Sequence, residues 1–155
     1  MNKILEKALN SKNLPNLLIY PEHGENVFFD LFNDIYKITT TTIIKYGEIS
    51  YTKTNYYYEF DLKFIINRNI NTLIEIIKGI IISKDFYSEN NLKIILLKDF
   101  NRIKTSLQNM LRVIMEKYRE TTVFICFTNT YDSIIQPLRS RFFLLIFLKK
   151  KKKDK

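Results

Sequence analysis

The sequence predicts an α/β fold, a parallel sheet with helices packed on both of its faces. Three short apolar runs, Leu17 to Tyr20, Ile94 to Leu97 and Val123 to Phe127, contain no charged residue. Strands buried on both sides look like this. Between them lie segments whose apolar residues recur at three and four positions, the period of a helix. Strand alternating with helix is the order that parallel crossovers require, because each helix must pack back onto the sheet. The chain has 155 residues, 46% hydrophobic and 26% charged, with three Gly and three Pro. That composition suits one globular domain with a real core.

Taken in order, the first strand, Leu17 to Tyr20, is entered from Pro15 and left through Pro21 to Gly24, a turn signal. Val27, Phe28, Leu31, Phe32 and Ile35 follow at helical spacing. Between Thr39 and Asp61, β-branched and aromatic residues including Tyr56, Tyr57, Tyr58 and Phe60 place at least one strand. Leu73, Ile74, Ile76, Ile77, Ile80 and Ile81 fit a helix or a strand by periodicity; length and the capping chemistry of Asn71 favour a helix. After the strand Ile94 to Leu97, the residues Ile103, Leu107, Met110, Leu111, Ile114 and Tyr118 form an amphipathic helix. Val123 to Phe127 is the next strand. Ile134 to Leu138 is a short turn or helix stopped around Pro137, and Phe142 to Leu148 is a last strand. No internal repeat is present.

Several function classes are excluded or disfavoured by composition. The longest apolar runs fall far short of the ~20 residues of a membrane-spanning helix, and no signal-peptide layout opens the chain, so an intracellular protein without membrane partners is expected. The lone Cys126 cannot form an internal disulfide or a thiolate metal cluster and reads as an inert core thiol. Net charge is +9, of which Lys149 to Lys155, six Lys and one Asp, supplies +5, leaving +4 for residues 1–148. The chain therefore divides into a folded module, 1–148, and a lysine-rich tail, 149–155. Such a tail is either a solvated end or an arm that releases counterions from nucleic acid.

In a sheet of this kind ligands bind beyond the carboxyl ends of the strands, and the loop after the first strand is the natural phosphate cradle. That loop, Pro21 to Phe28, reads Pro, Glu, His, Gly, Glu, Asn, Val, Phe. A working phosphate loop needs glycines for close backbone approach and a Lys followed by Ser or Thr. Gly24 is the one glycine in place. With no second His and no acidic pair at metal spacing, His23 reads as an exposed loop histidine, and no metal site is expected.

Downstream the pattern is more specific. Lys93 to Leu97 is an apolar strand led by a lysine and followed by Lys98 and Asp99. Then come Gln108, Leu111, Arg112, Met115, Glu116, Lys117 and Tyr118, a second strand ending at Asn129, Ile135 with Pro137, and finally Ser140, Arg141 and Phe142. In this order and spacing the segment Lys93 to Phe147 resembles the small subunits of replication factor C, the clamp loaders of the AAA+ class. The strand Leu17 to Tyr20 with Gly24 is similar in register to their phosphate-loop segment.

The resemblance implies a three-layer P-loop NTPase fold, AAA+-like, without the helical lid and collar through which family members form a pentamer. It implies that ATP and magnesium, bound by the family, are not bound by this chain. Val27 stands at the place of the phosphate-binding Lys and Phe28 at that of the magnesium-binding hydroxyl, while Glu22 and Glu25 bring negative charge toward a triphosphate. Lys98 stands where the family has the magnesium-holding Asp. Asp99 matches the catalytic Glu with one methylene fewer, Asn129 the sensor that polarises the attacking water, and Arg141 the arginine finger offered to a neighbour's nucleotide. Phe142 replaces the family cysteine. Read alone, Arg141 is equally a surface arginine before an edge strand, and Gln108 and Arg112 are equally polar-face residues of a helix.

The expected role is a non-hydrolysing clamp-loader subunit acting in DNA replication beside other loader subunits, a sliding clamp, and primed or double-stranded DNA. The alternatives are a stand-alone basic module that binds nucleic acid or protein on the same fold, and an active ATPase with an unusual loop. The last requires Val27 and Lys98 to be compensated together.

Overall fold

A computed structural model describes residues 2–10, 14–20, 24–65, 67–83, 92–100, 103–130 and 132–147. Glu22, His23 and the boundary and tail expected at 148–155 lie outside the described residues. The elements run α1 (Asn2–Asn10), β1 (Leu17–Tyr20), α2 (Gly24–Ile35), β2 (Thr41–Tyr46), β3 (Ile49–Thr54), β4 (Tyr57–Asp61), α3 (Ile70–Ile82), β5 (Lys93–Lys98), α4 (Thr105–Lys117), β6 (Thr122–Phe127), α5 (Gln136–Arg139) and β7 (Phe143–Ile146). Two short 3-10 turns, Leu62–Phe64 and Asn67–Asn69, lead into α3.

All seven strands form one sheet in the order β2-β3-β4-β5-β6-β1-β7. From β4 to β7 every neighbouring pair is parallel. The pleat explains why the central strands read as unbroken apolar runs. Leu17, Ile19, Leu96, Ile125 and Phe127 point to the face covered by α1 and α2. Leu18, Ile95, Leu97, Phe124 and Cys126 point to the face covered by α3, α4 and α5. Apart from end residues, each residue of β1, β5 and β6 is thus buried on one side or the other, and three layers result. Cys126 is fully enclosed, and burial pushes its thiol well above the ordinary range, consistent with an inert core residue.

Four features depart from the sequence expectation. The stretch from Thr39 to Asp61 holds three strands, and the hairpin β2-β3 runs antiparallel beside β4, so the sheet is mostly but not wholly parallel. Its two-residue turn uses Gly47 at φ 60°, the conformation that the first position of a tight hairpin turn demands. A helix, α1, precedes the first strand and is tied to α2 by the Tyr36 hydroxyl, which donates to the Leu9 carbonyl at 2.6 Å. The residue before α3 is Asn69, making no side-chain cap; Asn71 lies inside the helix. Pro137 sits in the first turn of α5, where its missing N–H costs nothing, and so starts that helix instead of stopping it.

The apolar face of α3 is otherwise as expected, with Leu73, Ile74, Ile76, Ile77, Ile80 and Ile81 all buried. Its C-terminus is held by Lys93, whose ammonium donates to the Ile81 carbonyl at 2.9 Å and also to Ile80 and Ser83 carbonyls. A cation at that end opposes the negative pole of the helix.

Candidate functional site

Because β1, β5 and β6 run parallel, their C-terminal ends share one edge of the sheet, and the residues that follow them are brought together there. Gly24 opens α2, Lys98 ends β5, Asp99 follows it, and Asn129 lies just beyond β6. The end of β6 is pinned to β1 by Thr128 N–H donating to the Ile19 carbonyl at 3.0 Å. Thr128, itself fully buried, folds the next residues into a turn: its hydroxyl donates to the Thr130 carbonyl at 2.9 Å and accepts from the Thr130 amide at 3.2 Å. Asn129 is therefore exposed at the edge.

The expected phosphate loop is already helical from Gly24. The first turn of a helix still offers open backbone N–H groups to an anion, but here that turn already carries the Glu25 carboxylate. Phe28 is fully buried and packs against Phe32 and Phe127 at centroid separations of 5.5 and 5.4 Å. Val27 packs against the same core. Neither position presents a group to a phosphate or a metal.

In front of that helix lies an ion triad. The Lys98 ammonium is 2.8 Å from a Glu25 carboxylate oxygen in the first turn of α2 and 3.2 Å from a Glu59 oxygen on β4. Its Nζ also lies 5.9 Å from the centre of the Phe29 ring. Register accounts for the meeting: Glu59 and Lys98 stand on neighbouring parallel strands and on the same face of the pleat, the face α2 covers. Burial, the largest influence on Lys98, lowers its affinity for a proton; hydrogen bonding to Glu25 and the charges of Glu59 and Glu25 outweigh it. The ammonium ends up well above the ordinary lysine range and is permanently charged. Asp99 directly follows with φ 55°, a left-handed conformation that short polar residues tolerate better than others. These residues do not fit magnesium and a triphosphate. A fixed cation holds the place that the resemblance gives to the magnesium-holding Asp, a carboxylate sits at the N-terminus of α2, and the buried Phe28 fills the place it gives to the hydroxyl.

Arg141 lies elsewhere. It precedes β7, whose Phe143 pairs with Leu17 at the beginning of β1, so Arg141 sits at the opposite edge of the sheet from Lys98. Its guanidinium is ion-paired with Glu116 of α4 and donates to the Pro137 carbonyl. Asn16, Met115, Glu116, Arg119, Ser140 and Arg141 line an open cleft of about 450 Å³ there. Phe142 packs against the core and meets Phe100 edge-on at 5.9 Å, while Arg141 remains partly exposed.

Gln108 resolves against the polar-face reading. It is buried, its amide donates to the Ser133 carbonyl at 3.0 Å and the Ile103 carbonyl at 3.2 Å, and it accepts from the Ile135 amide at 2.7 Å. Gln108 staples the loop that precedes α5 onto α4. Arg112 is partly buried. Sequence reasoning leaves out Glu59 and gives Glu116 no role. The available signal for the first was an acid in a largely aromatic strand; in the sheet it stands opposite Leu96, on the same face as Lys98 two residues further along β5.

No helix among the described residues is long and apolar enough to cross a membrane. The family model of the ATPase family associated with various cellular activities (AAA) matches residues 56–150. Replication factor C subunit 3 of Homo sapiens is 27% identical over 158 positions, covering 88% of this chain and 44% of that protein. The replication factor C small subunit of Sulfolobus acidocaldarius is 29% identical over 151 positions, 97% of this chain and 42% of the relative. The chain thus spans less than half the length of these curated relatives. Among solved structures, a DNA polymerase III gamma subunit-related protein from Thermotoga maritima superposes with a TM-score of 0.62 over 97% of this chain and 46% of that one. At 16% identity that likeness concerns the fold.

Proposed function

The chain belongs to the AAA family of ATPases, and from that premise we propose that it serves a clamp loader as a subunit that does not hydrolyse ATP itself. The observation that carries this reading is the Lys98 bridge to Glu25 and Glu59. A divalent cation and a triphosphate would have to displace an ion pair already made on both sides, and Val27 and Phe28 offer nothing in exchange. The similarity to replication factor C subunits supports a place beside other loader subunits, acting on a sliding clamp and primed DNA at sites of replication. Within such an assembly the chain contributes position and a single reactive group. Arg141, on the edge away from its own degenerate pocket, reaches a neighbour's nucleotide as an arginine finger, where a planar guanidinium stabilises charge on the transferring phosphoryl group.

Calorimetric titration of the purified chain with magnesium-ATP tests the first half of this reading. No heat of saturable binding is expected at micromolar nucleotide. A saturable isotherm in that range would overturn it.

A further inference from the structure

The triad does more than obstruct a ligand. In sites that bind a metal-nucleotide, the ligand supplies two charges: an anion at the helix N-terminus and a cation held by acids at the strand ends. Both charges are present here as side chains. Glu25 is in the first turn of α2, at the positive pole of the helix, where an anion is stabilised. Lys98 stands at the end of β5 and is 2.8 Å from Glu25 and 3.2 Å from Glu59.

We propose that Glu25 and Lys98 are a built-in substitute for the metal-nucleotide, a permanent anion-cation pair that ties α2 to β4 and β5 and holds this edge in one state without any ligand. The inference rests on the reading of the cis site given above and deepens it. An assembly containing this chain would have one position whose shape does not follow the nucleotide cycle, and the neighbour alone would sense ATP.

Burial supports the assignment. The side chains of Lys98, Glu25 and Glu59 are 29%, 24% and 18% exposed, less open than the surface pair Arg68 and Glu48 at 71% and 62%. Removing Lys98 therefore leaves two partly desolvated carboxylates without their cation, which costs more than loss of an exposed pair. The charges also fail to cancel: two carboxylates meet one ammonium, so the ammonium is the indispensable member. If Lys98 acts as the cation of the site, a diffusible cation should replace it.

The experiment is thermal unfolding of the full chain and of Lys98→Ala, each with sodium chloride and with calcium or magnesium chloride at matched ionic strength. Lys98→Ala is expected to melt roughly 5 °C lower than the wild type. Divalent salt on the order of 10 mM should return much of that loss through the two vacated carboxylates, since hard cations bind through one or two of them plus water. The wild type should not respond, and Glu25→Gln with Glu59→Gln in the Lys98→Ala background should abolish the response. If Lys98→Ala is unfolded in sodium chloride, refolding on addition of calcium carries the same meaning, and failure to refold overturns the proposal. An unchanged melting temperature, or a loss that no divalent cation reverses, also overturns it. Such a failure leaves the non-hydrolysing reading intact so long as the wild type still gives no ATP isotherm.

Discussion

Phe28 meets Phe127 edge-on, with ring centroids 5.4 Å apart and planes at 73°. The residue standing where the resemblance places a magnesium-binding hydroxyl is therefore part of the core between α2 and the sheet. Phe28→Thr restores the hydroxyl type but removes a fully buried ring, at a cost of about 3 kcal/mol by the usual range for emptied aromatic sites. Urea unfolding should show that loss, and titration with magnesium-ATP should still give no binding, because Lys98 and Val27 remain. Recovery of ATP binding by this single change would mean that the site is closer to function than its geometry indicates.

Gln108 offers a second stability test. As a polar-face residue it would tolerate apolar replacement within a few tenths of a kcal/mol. Buried and bonded to Ile103, Ser133 and Ile135, it should not. Gln108→Leu keeps the volume, removes three hydrogen bonds, and is expected to destabilise by about 2 to 4 kcal/mol. The urea midpoint should fall with little change in slope. Amide exchange at Ile135 should accelerate more than at the β5 strand.

These two residues also mark what could be read without coordinates. The alternating burial of β1, β5 and β6 was legible because a strand covered on both faces must be apolar throughout, and α3 was legible because six apolar residues share one helical face. The helix α1 was not, since it is short and rich in charge, although Leu9 within it is fully buried. The division of Thr39 to Asp61 into three strands depended on a turn at Gly47 and on Thr54, whose hydroxyl accepts from the amides of Tyr56 and Tyr57. Such local bonds leave little trace in hydrophobic pattern. At the site, Lys98 was conspicuous by its type, but its partners come from distant points in the chain: sheet register brings Glu59 to it, and the packing of α2 on that face brings Glu25.

The lysine tail makes a prediction of its own. Deleting residues 149–155 should weaken binding to duplex DNA and reduce the slope of log affinity against log salt by up to about 5, because six fewer lysines release six fewer counterions. The loss should be the same for unrelated sequences, since charge reads backbone and not groove edges. Fluorescence anisotropy at several salt concentrations measures both. An unchanged slope would make the tail a solubilising end only.

The final prediction concerns Arg141, whose contacts set the conditions of the test. In the isolated chain its guanidinium is engaged by Glu116 and by the Pro137 carbonyl, so reaching a neighbour's phosphate requires exchanging those partners for a more strongly charged one. With a partner that carries an intact GKT or GKS loop, Arg141→Ala should leave assembly unchanged yet slow the partner's ATP hydrolysis at least ~100-fold, the lower side of what trans-acting arginines supply. Arg141→Lys should rescue little, because an ammonium cannot reproduce the two-pronged engagement of phosphate oxygens. Glu116→Gln separates the ion pair from the finger: it weakens the resting contact while keeping Arg141, so hydrolysis should equal or exceed that of the wild type. Phosphate release by the reconstituted pair gives the rates, and sedimentation of the same samples verifies assembly. Equal rates for wild type, Arg141→Ala and Arg141→Lys would reduce Arg141 to the structural partner of Glu116, and a rate lost equally in Glu116→Gln and Arg141→Ala would place the effect in packing at the α4 edge instead of at the neighbour's phosphate.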